Sequence, residues 1–292
     1  MTTLYKVPTG FATSSGGSAT ETPTPTDLVV LDLNSGNWTL TANYGSIVDN
    51  GGGDIMVTPG LLGVQIAGSY TGTLAIGAFT LAVGESGLDA TGAGGAAVSG
   101  SAGGKIGIAG PVASGEAPYW LGSPASVSLD SVELYTTGRV SIKGSGRKVC
   151  GTIRQAAEGY IVVESSANTA SSVHVWGVVD VASSQTFTVR GFSLYSGSSV
   201  TGSGIWYAIG SFGISVESGV LVDVATALIE ISGVCTLPAA TWDCGVFRVH
   251  QYITTDRSDT VTLAAGEHRF GGKFRCSATV SGAISPVVTM MI

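Results

Sequence analysis

Charge is scarce in this chain. Asp, Glu, Lys and Arg together make up only 11% of its 292 residues. Glu, Lys, Leu and Arg build the exposed and core-facing stripes of amphipathic helices, so their shortage predicts little helix. Long apolar runs are missing as well. Mean hydropathy is positive, at +0.39, yet Gly, Ser or Thr interrupts every stretch before the roughly 18 to 20 apolar residues a bilayer span needs. The N-terminus, Met1-Thr-Thr-Leu-Tyr-Lys6, has no basic segment followed by an apolar core, so synthesis in the cytoplasm and no membrane insertion are expected. Basic residues are not in excess: the formal charge is −7 and the isoelectric point about 4.8. Binding to nucleic acid is therefore not expected, because it relies on Lys and Arg neutralising phosphates.

Catalytic and metal motifs are missing too. The four cysteines, Cys150, Cys235, Cys244 and Cys276, include no CxxC pair of the kind that organises zinc, and their disulfide state is open. Gly103-Gly104-Lys105 is followed by Ile106, not by the hydroxyl residue of a phosphate-binding loop. No helical pattern follows Gly92-Ala-Gly94 to receive a pyrophosphate. His174, His250 and His268 stand apart without ligand spacing, and no Gly-x-Ser-x-Gly elbow occurs. No catalytic, cofactor-binding or metal-ligating residue is assigned on this basis, no cofactor is expected, and the chain is not expected to be an enzyme.

What is present is glycine, at 44 positions, among Val, Ser, Thr and Ala. Residues 1–26 form a block of their own, with Thr, Ser, Gly or Pro at 17 of 26 positions. Such a segment is expected to be an extended arm that packs against a neighbouring subunit or another protein. From Asp27 the chain turns to short alternating runs bounded by Gly, Asn or Asp, such as Leu28-Val-Val-Leu-Asp-Leu33, which read as strands and tight turns. This Gly-rich β module, 27–125, includes the low-complexity stretch Gly92–Gly104 and ends in a connection over Pro111–Pro124.

Residues 126–233 carry the clearest pattern. Val178-Val-Asp-Val-Ala182 recurs as Leu221-Val-Asp-Val-Ala225, 43 positions on, and Phe187-Thr-Val-Arg-Gly191 as Ile229-Glu-Ile-Ser-Gly233, 42 positions on. A stacked solenoid gives such a repeat if two coils of about 21 residues separate the copies. A β-sandwich of similar strands fits the pattern nearly as well. One short helix is predicted at Val149–Ala157, where Arg154-Gln-Ala-Ala-Glu158 departs from strand composition. Residues 234–292, richer in charge and aromatics, read as an antiparallel β cap domain. Five cations, Arg248, Arg257, Arg269, Lys273 and Arg275, fall between Val246 and Cys276.

Polysaccharide-cleaving solenoids place acids on strand faces, and Glu164, Asp180, Glu217, Asp223 and Glu230 all lie in strand-like runs. Asp180 and Asp223 hold equivalent repeat positions, which in a solenoid puts them two coils apart, near 10 Å by ordinary strand spacing. That separation slightly exceeds the useful range, so these acids read as solvated strand residues that discourage edge pairing.

The Thr/Ser/Pro-rich arm without a signal, the many short Val/Ile/Ser/Gly strands and the more aromatic terminal region resemble phage tail fibres, tailspikes and head-decoration proteins. The resemblance lies in build and composition, so it transfers no residue roles. It implies a structural virion protein, a homotrimer whose arm (1–26) docks on other virion proteins and whose β body meets a host-surface glycan or stabilises the particle. A glycan depolymerase on the same scaffold and a bacterial surface adhesin are the alternative expectations.

Overall fold

The computed structural model describes residues 1–89, 97–110, 127–143, 148–164, 166, 168–208, 214–217, 221–231, 235–237, 241–249, 260–263, 266–270, 273–276, 279–282 and 286–290. Part of the Gly92–Gly104 stretch and all of Pro111–Pro124 lie outside them. The described strands wind into a β-solenoid of about 8 turns. Each coil pairs in parallel with the coil before it: Tyr160 with Val178, Val178 with Ser199 and Ser199 with Leu221. A β-sandwich would instead show antiparallel neighbours joined by hairpins, so the solenoid alternative is the one realised. The repeat at 42 to 43 positions is two coils, as Val178, Ser199 and Leu221 illustrate.

From about residue 127 each coil contributes to three faces. The first holds the beginning of Asn168–Val175, then Thr186–Val189 and Ile205–Ala208. The second holds Lys105–Ala109, the ends of Val127–Thr137, Lys148–Gln155 and Asn168–Val175, then Phe192–Leu194 and Ile214–Val216. The third holds Arg139–Ile142, Tyr160–Val163, Val178–Val181 and Ser199–Gly202.

Alternation sends every second side chain inward, and parallel register places like positions over one another. On the second face Leu81, Ile106, Leu134, Ile153, Val173 and Phe192 form one column, all at most 2% exposed. Val140, Ile161, Val179 and Val200 form another on the third face. Burying each such aliphatic side chain is worth about 1.5–3 kcal/mol, so these columns are the main cohesion of the stack. Trp206 packs edge-to-face on Phe187 and Phe192, with centroids 5.3 and 5.6 Å away.

Three expectations are corrected. No helix occurs among the described residues; Val149–Ala157 lies in the strand Lys148–Gln155 and the turn after it. Ile153 and Gln155 point inward there and Arg154 outward, a period of two that parallel partners on both sides enforce. The C-terminal strands pair in parallel rather than antiparallel: Thr241–Val249 with Leu221–Ile231, with Gly266–Phe270 and with Lys273–Cys276. They continue the stack, and parallel pairing also crosses from Val98 to Val127.

The N-terminal segment is not a free arm. Thr2–Val7 pairs in parallel with Asp27–Leu31 and antiparallel with Gly10–Ala12. Leu4, Val7, Phe11 and Ala12 are buried. Phe11 meets Trp38 edge-to-face at 5.5 Å, and Trp38 meets Tyr44 at 5.6 Å. This block closes the open edge of the first coil, which an uncapped solenoid would expose. Its order follows from contacts within its own chain.

One insertion breaks the coil pattern. The chain leaves the second face at Gly45 and returns at Gly60, forming an antiparallel hairpin from Gly45–Asp49 and Ile55–Pro59. Tyr44 and Gly60 stay in register with the next coil through amide bonds to the carbonyls of Thr80 (2.8 Å) and Ala82 (2.9 Å). A Cβ on Gly60 would lie 2.2 Å from the Gly45 nitrogen, so only glycine permits this crossing. The hairpin lies along the outside of the second face. Ile47, Ile55 and Val57 pack on Tyr135 and Ala156, while Val48 and Met56 face solvent. Gly107 lies beneath: a Cβ there would come within 2.9 Å of both Ile47 and Val57.

Candidate functional site

The hairpin tip and the outer second face enclose a cleft of about 910 Å³. Its floor comes from successive coils: Lys105, Tyr135, Arg154, Trp176, Tyr195 and Glu217. Those residues lie on, or directly after, the strands that pair in sequence across the second face. Five steps of about 4.8 Å make the cleft roughly 24 Å long, parallel to the solenoid axis. Asp49, Asn50, Gly51 and Gly52 form the hairpin's wall.

The tip is fixed at three points. Asp49 reaches Arg154 at 3.8 Å. The Ala157 amide donates to the Gly53 carbonyl at 3.1 Å. Gly53 rests on Trp176, so closely that a Cβ would lie 2.6 Å from the indole Cγ. Within the tip, the Gly51 amide donates to Asp49 Oδ1 (2.9 Å) and Asn50 Nδ2 to Asp54 Oδ2 (2.8 Å).

The aromatic groups form a short column. Trp176 and Tyr195, from adjacent coils, stack at 4.0 Å and 2°. His174 lies nearly parallel to both, with its Nδ1 hydrogen-bonded to the Tyr195 hydroxyl at 3.0 Å. Burial, aided by the Arg154 guanidinium, holds the His174 pKa below its ordinary value. The Tyr135 hydroxyl donates to Glu133 at 2.8 Å; burial first, then that carboxylate, pushes the phenol pKa up. Lys105 lies over the Tyr135 ring at 5.6 Å. At the far end Glu217 accepts from the Ser196 amide at 2.9 Å.

Buried Gln155 supports the turn that presents Trp176. Its Nε2 donates to the Val178 carbonyl (2.6 Å), and its Oε1 accepts from the Gly177 amide (3.3 Å). The cleft therefore presents aromatic rings beside hydrogen-bonding groups, with two carboxylates, Asp49 and Glu217, against two cations, Lys105 and Arg154. Its formal charge is balanced.

Of the acids singled out from sequence, only Glu217 lines the cleft. Glu164 lies elsewhere, accepting from Ser141 and pairing with Lys143 at 3.5 Å. Asp180 is on the third face, accepting from the Tyr160 hydroxyl at 2.7 Å, and Arg139 covers the Tyr160 ring at 4.4 Å. Asp180 pairs with Thr201, one coil before the strand bearing Asp223, so the two aspartates are two coils apart as expected. In backbone register Asp223 faces Asp243 and Glu230 faces Arg248. His268 lies in the strand Gly266–Phe270, opposite Val288. His250 and Arg257 lie outside the described residues. Asp49, Tyr135, Trp176 and Tyr195 are not singled out as site residues by the sequence, where Lys105 enters only through a rejected phosphate-loop match and Arg154 only through the predicted helix. No group of three or more His, Cys, Asp or Glu able to hold a metal is found among the described residues.

No family model, curated protein or solved structure matches the chain.

Proposed function

We propose that this chain is a structural β-solenoid of the phage fibre or spike kind, which contacts a host-surface saccharide through the second-face cleft. The observation that carries the reading is the cleft itself: an elongated, charge-balanced channel with aromatic surface beside paired donors and acceptors. Sugars present apolar C–H faces and a rim of hydroxyls, and sites with that mixture complement them. Nucleic acid would favour an excess of cations instead. The length along the axis suits an oligosaccharide better than a single sugar.

In this reading the N-terminal end of the stack attaches to other virion proteins, and the chain assembles as a homotrimer. Residues 13–26, mostly exposed beyond the first coil, are the part left to meet them.

The test is an array of bacterial capsule and lipopolysaccharide oligosaccharides probed with the purified full-length protein. Selective retention of a saccharide class is expected; retention of none would overturn the reading. Glycan depolymerisation is the alternative outcome of the same experiment, although the two carboxylates that line the channel do not favour it: Asp49 sits at Arg154, three coil steps or roughly 14 Å from Glu217, beyond the span of a glycosidase pair. Release of new reducing ends from a retained saccharide would establish it and remove the non-enzymatic one.

A further inference from the structure

Asn50-Gly51 is the only Asn-Gly dipeptide in the chain. Both residues are exposed at the hairpin tip, and Asn50 lines the cleft. We propose that Asn50 is a site of spontaneous deamidation through a cyclic imide, a modification that changes the charge of the cleft with time.

The reaction needs a backbone nitrogen that can reach the preceding side-chain amide, and two observations show that no side chain or neighbouring atom obstructs it. Gly51 has no Cβ to obstruct the ring. Space around it is also open: a Cβ built on Gly51 or Gly52 would meet nothing within 4 Å. Gly51 and Gly52, ahead of the anchored Gly53, both have positive φ, at 83° and 62°, so this stretch is glycine-only backbone, able to reorient at little steric cost. The Gly51 N–H donates to Asp49 Oδ1 at 2.9 Å, a hydrogen bond that must open before solvent base can take the proton and the nitrogen can turn toward Asn50 Cγ.

The steps balance without an oxidant or reductant. The Gly51 nitrogen, losing its proton to base, forms a bond to Asn50 Cγ. The Cγ–Nδ2 bond then breaks, and Nδ2 departs with the proton as ammonia. Water opens either C–N bond of the five-membered imide, returning a proton to the released nitrogen and leaving aspartate or isoaspartate. The Nδ2 that donates to Asp54 Oδ2 is lost, and a carboxylate takes its place beside Asp49 and Asp54. The charge-balanced cleft gains one negative charge, and the tip gains like-charge repulsion in place of a hydrogen bond.

The chemistry stands apart from the saccharide reading; only its consequence for binding rests on it. The test is incubation of the folded full-length protein in mildly alkaline buffer, followed by peptide mapping by mass spectrometry with isoaspartate detection. A guanidinium-unfolded sample run in parallel supplies a positive control. Asn50 is expected to convert ahead of Asn34, Asn37, Asn43 and Asn168, giving both aspartate and isoaspartate. Asn50→Gln should remain intact, and Gly51→Ala should slow conversion sharply. If Asn50 stays intact in the folded protein while converting in the unfolded one, or if Gly51→Ala converts as fast as wild type, the proposal fails. Saccharide retention, measured separately on fresh protein, is unaffected by either outcome.

Discussion

Replacing Gly53 by alanine tests whether the hairpin tip is held down by its contact with Trp176. The new Cβ would lie 2.6 Å from the indole Cγ, 2.8 Å from Cβ and 2.9 Å from Cδ1. Overpacking of that kind costs about 1–3 kcal/mol. Gly53 also has φ +84°, where a side chain adds about 1–2 kcal/mol of backbone strain. Gly52 provides the control, because its φ of +62° carries similar strain while its Cβ would meet nothing within 4 Å. The difference between the two variants is therefore the contact alone, about 1–3 kcal/mol, or roughly a 5- to 150-fold change in local opening. The strain is relieved by lifting the tip, not by unfolding the coils. The reporter is the Ala157 amide, which donates to the Gly53 carbonyl at 3.1 Å. Hydrogen exchange at that amide should accelerate by this factor in Gly53→Ala over Gly52→Ala, while the inward columns keep their protection. Equal exchange in the two variants would refute the docked tip.

Three further outcomes follow from the packing and the titrating groups. Gln155→Leu leaves the Val178 carbonyl and the Gly177 amide without their side-chain partner, at about 1–3 kcal/mol for each group left unsatisfied, and should lower the thermal midpoint measured by circular dichroism. Ile153→Ala opens a cavity in the second-face column and should cost about 2–5 kcal/mol in denaturant unfolding. His174 gives a pH dependence. Its pKa in the folded chain lies below the ordinary 6.5, so the unfolded chain takes up the proton first as pH falls. Its contribution is complete above about pH 6.5 and declines below it until the folded ring titrates. His174→Gln should flatten that part of the stability profile relative to wild type, and an unchanged slope would contradict the burial argument.

The stack was legible in the sequence because inward positions constrain it tightly. Val178 and Val179 reappear as Leu221 and Val222 two coils later, while the intervening coil reads Ser199-Val200. There only the inward Val200 keeps the pattern, so the single-coil offset is faint and the double offset clear. Elsewhere local composition misled. Arg154-Gln-Ala-Ala suggests a helix, but the ladder partners on both sides impose a strand, and Gln155 finds its partners in the next coil. The first 26 residues look unfoldable by composition, yet Leu4, Val7 and Phe11 are placed to close the first coil. The cleft was not legible, because its walls come from an insertion near residue 50 and from coils reaching to residue 217. Nothing local in Lys105 or Arg154 marks them as neighbours. Glu217 was singled out as a strand carboxylate and proves to lie at the channel's end.

Calorimetric titration of the array-selected oligosaccharide into wild-type protein, Tyr195→Ala, Glu217→Gln and Tyr160→Ala tests the central claim most directly. Tyr195 and Glu217 line the second-face cleft, whereas Tyr160 presents its ring under Arg139 on the third face. The account predicts affinity at least about tenfold weaker for Tyr195→Ala, equivalent to ~1.4 kcal/mol, a smaller loss for Glu217→Gln, and no change for Tyr160→Ala. Wild-type affinity in both cleft variants, or a loss confined to Tyr160→Ala, would contradict it.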